Sequence, residues 1–479
     1  MSESSSNPRR SLVIRLIIVI AAPLVMAHIE NLQTRGESLR IADKEPDPIP
    51  DPGENFAEAD FIRDLVSKAR EEALTGTEKL RSKYSPNAIP GYKPPDTSKS
   101  VRFMTVSPIH MSFSELETDE EAATVIRSFM KSLEEDLKEI ENATLRPHSN
   151  LLIEYSEGYS LGLPEGTVFH DIAKLLHLRA RASIHFGESE QALDDIHTLL
   201  LLTKHLSAET SLIFQLIGNL FYGQAIGEIR EGIQKQTWNS AQLEALNVAL
   251  NFQPLSRGFM SSLRMERAIF AETMVQLAQG EYPQIQEVEN LIPDVEIPIT
   301  LIPKGVLYEN ALAHSEILQI CLFDSEEGGD RVNQVPFDID IDKEINARMS
   351  SRVDRIRYVF SFISLPVYEG IAVRFQRVQV LNDHAKPAIL LEIHAQEQGS
   401  YPSTLQDLRP GREVLNATDP FTGLPYVYEQ LGRSDFKLYS VGPNRIDEKG
   451  LIKHDYDDGD WVWRPDLPED FDYKAYRER

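Results

Sequence analysis

The residues best suited to chemistry sit near the C-terminus. Asn444, Asp447, Asp458 and Asp460 lie in one acidic stretch. Clustered carboxylates repel one another, and a hard cation held by several oxygens at about 2.4 Å removes that repulsion. By itself the stretch reads as a solvated acidic loop, and calcium enters only with the family resemblance that these residues carry. A second candidate is Gly158-Tyr159-Ser160-Leu161-Gly162. This is the spacing of a nucleophile elbow, in which a strand delivers a serine onto a turn that runs directly into a helix. Apolar Leu151 to Ile153 precede it, but Pro164, Glu165 and Gly166 come next, and no strand–helix alternation surrounds it. A loop is the expected state, and a periplasmic serine hydrolase using Ser160 is the alternative.

Other patterns carry less. Asp338-Ile339-Asp340-Ile341-Asp342 begins like an EF-hand loop, but Lys343 stands where that loop needs glycine and Met349 where it needs glutamate. The alternation there suits a short strand or a solvated edge. His170, His177 and His185 share a helix without a His-Glu-x-x-His pattern, so they read as partly buried helix residues rather than metal ligands. Arg264, Glu266, Arg267 and Glu272 read as ion pairs on a helix surface. The single cysteine, Cys321, lies in an apolar run and reads as a small buried hydrophobe; alone, it permits no internal disulfide. The sequence has no glycine loop of the phosphate-cradling kind, and no residue is assigned a catalytic role.

The periodicity predicts a mainly helical scaffold for these groups. Apolar positions at spacings of three and four place helices over 118–142, 168–186, 188–205, 208–235, 240–250 and 259–279, with another near 305–323. A charged amphipathic helix is expected over 56–83, and a long helical region over 343–398 with interruptions near Pro366 and Pro387. Gly187 separates two of these helices so closely that they must form an antiparallel hairpin. Asn239 with Gln242 reads as a capping box.

The N-terminus is apolar. From Leu16 to Ala27 no residue is charged, which gives about 18 Å of helix against the ~30 Å hydrocarbon core. Starting at Leu12, with Arg15 snorkelling, the run approaches a minimal span. It reads equally as a signal peptide cut after Ala27 or as an uncleaved anchor, and both export the rest of the chain. Basic residues precede the run and acidic ones succeed it, which orients an anchored chain toward the periplasm.

The whole chain, 479 residues, carries a formal charge of −26, concentrated in residues 43–64, 115–141 and 447–479. This acidity argues against a nucleic-acid partner, since phosphates would repel it and no basic block compensates. The expected organisation is a signal peptide or anchor at 1–27, a Pro-rich acidic spacer with one helix at 28–100, and an α-helical body at 101–345. A long helix with a small α+β domain comes next at 346–465, and then an acidic tail at 466–479.

Three resemblances add to this reading. Gly187 and Ala192, with Ala180 on the preceding helix, resemble one tetratricopeptide hairpin, although no second copy occurs at the family's period. In the C-terminal module, Gly399-Ser400-Tyr401-Pro402 is succeeded by Asp419-Pro420-Phe421-Thr422-Gly423-Leu424-Pro425-Tyr426-Val427-Tyr428, then Ser440-Val441-Gly442, then Asp457-Asp458-Gly459-Asp460-Trp461. This order resembles the C-terminal domain of the major pseudopilin of type II secretion systems. The resemblance covers residues 385–463 and implies a long helix, a small antiparallel sheet and a calcium-binding acidic loop. Asn444 replaces that family's aspartate, Asp447 could compensate, and Asp458 and Asp460 match its later pair. The pseudopilin processing site is missing, so polymerisation as a pilus subunit is not expected. The overall layout also resembles an uncharacterised family of membrane-anchored envelope proteins from planctomycetes and verrucomicrobia, carried by the apolar start, Gly36-Glu37-Ser38-Leu39, Leu178-Arg179-Ala180-Arg181-Ala182 and the C-terminal module. Together these imply a non-enzymatic cell-envelope scaffold with protein partners, held to the inner membrane through residues 12–27 if that segment is uncleaved, with a possible link to secretion.

Overall fold

A computed structural model describes residues 51, 53–93, 109–160, 162–250, 255–281, 302–323, 341–348, 354, 357–408, 418–451 and 459–463, together with Gln33. The protein is mainly helical, with a small three-stranded antiparallel sheet near the C-terminus. The apolar N-terminal run, the acidic prolines, Asp458 and the acidic tail lie outside the described residues. Among the described residues no helix is long and apolar enough to cross a membrane.

The body is built around one helical hairpin. Helix α5 (Pro164–Phe186) and helix α6 (Ser189–Leu206) meet at Gly187, whose φ of 71° lets the chain reverse. Helix α5 starts earlier than its apolar period suggests, because Pro164 at its first position needs no hydrogen-bonded N–H. Its buried residues run from Glu165 to Ile184 and cover most of its circumference, as expected of a central helix. Helix α7 (Leu212–Gln234) packs on both arms of the hairpin.

Ahead of the hairpin come α1 (Asp60–Thr75), α2 (Lys79–Tyr84), α3 (Asp119–Met130) and α4 (Glu134–Thr144). The helix expected over 56–83 is thus divided, with Gly76 as the stop of α1. The helix expected over 118–142 is also divided, by a 3-10 turn at Lys131–Leu133. Its start is as the residues dictate: Thr118 and Glu121 form a capping box. Residues Phe56, Ile62 and Leu65, in the stretch expected as spacer, are buried in the main core, and both α1 and α2 pack on α5.

After α7 come α8 (Ser240–Ala249), α9 (Leu255–Gln279), α10 (Lys304–Phe323), α11 (Ile341–Arg348), α12 (Val359–Ser364) and α13 (Pro366–Gln398). The capping box of Asn239 and Gln242 opens α8 as expected. Asp338 to Asp340 lie outside the described residues, but Ile341 and Asp342 begin a helix rather than continue a strand. Pro366 starts α13, whereas Pro387 sits inside it. A proline there removes one backbone hydrogen bond, yet Ala385, Ala388 and Ile389 around it are fully buried, and their packing carries the helix through.

The C-terminal sheet pairs β1 (Val427–Leu431) with β2 (Asp435–Ser440), and β2 with β3 (Trp461–Val462). Tyr426 precedes β1, and its hydroxyl donates to Asp383 Oδ2 of α13 at 3.0 Å. Trp463 is fully buried, and Arg230 Nη1 of α7 donates to its carbonyl at 3.2 Å. One continuous hydrophobic cluster extends from Phe56 to Trp463, so the sheet and the helical body share a core.

Candidate functional sites

The acidic loop is the first site to place. Asp447 Oδ1 accepts from the Tyr439 hydroxyl at 3.0 Å and from the Lys449 amide at 2.9 Å, while Oδ2 pairs with Lys449 Nζ at 2.6 Å. The Lys449 contacts hold the Asp447 carboxyl below its usual range. Asn444 Oδ1 accepts from the Ile446 amide at 3.0 Å, and its Nδ2 donates to Glu448 Oε1 at 2.9 Å. Asp460 accepts from the Gly450 amide at 2.6 Å and the Glu448 amide at 3.4 Å. Burial nevertheless pushes its carboxyl up to about 6, helped by the neighbouring Glu448 charge. The structure thus brings Asn444, Asp447 and Asp460 into one loop region, but their oxygens already have protein donors. A calcium ion needs six or more oxygens, and it would have to draw on Asp458, which lies outside the described residues, and replace Lys449 on Asp447. Among the described residues no group of three or more His, Cys, Asp and Glu could hold a metal.

The Ser160 segment is the second. Leu151 to Ile153 form no strand, and Tyr155–Ser160 is a 3-10 turn ahead of α5. An elbow needs a strand before the serine and a helix directly after it. The turn instead leans on α9. Gly158 takes φ 61° and ψ −142°, and a Cβ there would sit 2.6 Å from Thr273 Oγ1. Only glycine fits that approach. The next amide, Tyr159 N–H, donates to the same Thr273 Oγ1 at 3.0 Å. The Tyr159 hydroxyl then reaches Glu266 Oε2 at 3.3 Å, and the Tyr368 hydroxyl reaches the same oxygen at 3.4 Å.

This last group was not legible as a site, and it corrects the expectation of surface ion pairs on α9. Glu266 and Glu272 are buried, and Arg267 is turned to Gln319. Burial pushes the Glu266 carboxyl up to about 7, against the two tyrosine hydrogen bonds. Beside it, His314 is 0% exposed, stacked on Phe270 with centroids 3.9 Å apart, and neither ring nitrogen has a hydrogen-bond partner. Burial, with the Arg267 charge, drives its imidazole down to about 3, so it is neutral. The signal was present: Ile269, Phe270 and Thr273, three, four and seven residues after Glu266, mark the buried face of α9.

The three helix histidines behave as side chains of the fold. His170 lies against Asp171 at 3.3 Å, and His185 Nε2 is 3.0 Å from Glu120 Oε2. His177 Nδ1 lies 3.0 Å from Glu228 Oε1 without the alignment a hydrogen bond needs. Glu228 is buried and pushed up to about 8, whereas Glu231, although buried too, is held below its usual range by Arg181 and Lys235. The side chain of Cys321 lies outside the described structure.

One cleft, of about 370 Å³, opens between α3, α4 and the α5–α6 hairpin. Arg127, Lys131, Lys138 and Arg179 line it, alternating with Glu134 and Asp194. Arg127 lies flat on Phe186, 3.4 Å from the ring centroid, and Arg179 is locked by Asp195 with Nε at 2.9 and 3.1 Å from its two oxygens. Lys131 and Lys138, also lining the cleft, are exposed. Comparison with models of known families, with curated proteins and with solved structures finds no match to this chain.

Proposed function

We propose that this protein is a non-enzymatic scaffold of the cell envelope, which binds a protein partner through its helical-hairpin body and is carried outside the inner membrane by its N-terminal apolar segment. The observation that supports it best is the hairpin cleft. Its lining is charged and of mixed sign, which suits a polypeptide segment presenting opposite charges better than a small apolar substrate. Within this reading the hairpin is tetratricopeptide-like and the C-terminal sheet pseudopilin-like, with calcium as the ion its acidic loop takes up and a secretion machine as the neighbourhood. Cross-linking in envelope membranes, with affinity capture afterwards, tests it. The expected result is a specific partner captured by the wild type and lost from a Lys131→Glu, Lys138→Glu variant. Capture of the same proteins by both, or of none, overturns it.

The second reading is a periplasmic serine hydrolase using Ser160. It draws on the position of the Ser160 turn over a buried carboxyl and an unpartnered imidazole. Labelling by a fluorophosphonate, lost in Ser160→Ala, would establish it; no labelling ends it.

A further inference from the structure

Three oxygens from three separate elements converge beside α9. The hydroxyls of Tyr159, from the 3-10 turn, and Tyr368, from α13, are 3.4 Å apart, and Glu266 Oε2 is 3.3 and 3.4 Å from them. They form a nearly equilateral triangle. Against the Tyr368 ring, with centroids 5.8 Å apart, lies His314 of α10. A buried imidazole must find a partner for at least one nitrogen or bear the cost of leaving it unmet. His314 has none. We propose that Tyr159, Tyr368, Glu266 and His314 form a binding site for ferric iron.

The spacing fits a small ion. A point equidistant from the three oxygens in their plane lies about 1.9 Å from each, and one slightly above it about 2.0–2.1 Å, the length of bonds from small hard cations to oxygen. The donor chemistry selects among such ions. Phenol oxygens and a carboxylate are hard donors, and phenolate is an established ligand of iron. Magnesium is disfavoured, because it dehydrates reluctantly and prefers to keep several waters. Charge balance points the same way. Two phenolates and one carboxylate cancel a 3+ ion, and a buried site is least costly when neutral. His314, whose two ring nitrogens have no hydrogen-bond partner, can add a nitrogen. On binding, two O–H bonds break, two iron–phenolate bonds and one iron–carboxylate bond form, and the protons leave to solvent; no electron is transferred. Arg267, whose charge is felt by His314, is turned toward Gln319.

The test uses the full chain titrated with ferric nitrilotriacetate. The expected result is one iron per chain, retained through desalting, with a visible tyrosinate-to-iron charge-transfer band. Tyr368→Phe and Tyr159→Phe each remove part of that band and weaken binding by roughly tenfold or more. Circular dichroism checks that each variant is folded; Tyr159→Phe, at the exposed position, keeps the test open if Tyr368→Phe is not. Absence of retained iron and of the band overturns the proposal. So does a band that survives unchanged in Tyr159→Phe, or stoichiometric zinc uptake with none of iron.

Discussion

Gly232 offers a sharp check on the packing between α7 and the segment just after it. It lies in the interior of α7, where alanine would ordinarily be preferred by about 1 kcal/mol. Here a Cβ would stand 2.6 Å from Cζ2 of Trp238 and nearer still to Nε1 and Cε2. The indole would have to retreat by about 1 Å to reach ordinary contact. It has little room, being 3% exposed, and its Nε1 donates to the Ile229 carbonyl at 3.0 Å. Overpacking of this kind costs about 1–3 kcal/mol, and stranding the indole N–H costs about 1–3 more. After the propensity gain, Gly232→Ala should lose about 1–5 kcal/mol. Gly370 is the control: it lies in α13, and a Cβ there meets nothing within 4 Å. Gly370→Ala should gain up to about 1 kcal/mol. Guanidinium unfolding monitored by far-ultraviolet circular dichroism measures both. If Gly232→Ala is as stable as the wild type, or shifts in the same direction as Gly370→Ala, the packing argument is refuted.

Four further predictions rest on single sites. His205 is buried against Phe56 and its Nε2 donates to the Thr144 carbonyl at 2.9 Å; burial holds the imidazole down to about 4. The unfolded chain takes up that proton first, so stability present above pH about 6.5 is lost as pH falls toward 4, by up to about 3 kcal/mol; His205→Gln should remove this dependence in acid-unfolding curves, and an unchanged curve counts against it. Glu266 has the opposite sign: its raised carboxyl costs stability as pH rises from about 4.5 to 7, so Glu266→Gln should gain on the wild type at pH 8 in the same unfolding assay. Trp463→Ala should cost about 3–5 kcal/mol and loosen the sheet from α7, read as one lowered melting transition; an early separate transition of the sheet would mean that the shared core is not cooperative. Calcium should raise the melting temperature of the full chain over chelator, with the increment lost in Asp460→Asn; identical curves would leave the acidic loop merely solvated.

How far the residues themselves led differs by region. The helices of the hairpin were legible, because apolar spacings of three and four persisted for several turns and Gly187 left no room for anything but a reversal. The capping box at Asn239 was legible because its chemistry is local. Boundaries shifted where a proline could serve equally as breaker or first residue, as at Pro164, and Pro387 stayed inside a helix because its neighbours are buried. The stretch before residue 100 reads as a spacer with one amphipathic helix because prolines and acids dominate its composition; that Phe56, Ile62, Leu65, Val66, Tyr84 and Ile89, among others, join the main core is visible only in the fold.

What the chain determines alone is therefore its local conformation and its charge. A mainly helical body and a glycine-stopped hairpin arise from periodicity and turn chemistry, and the acidity from composition, whereas the small sheet after the last long helix was implied by the pseudopilin resemblance of the C-terminal motifs. Tertiary structure decided which polar groups meet. Tyr159, Glu266, His314 and Tyr368 lie on four different elements, and nothing in their sequence separation brings them together. The contacts of Lys449 and Tyr439 with Asp447 are likewise a product of the fold. The physical reason is common to both. Helix and turn preferences act over a few residues, whereas desolvation and hydrogen-bond partnership depend on what the folded chain places within about 3 Å.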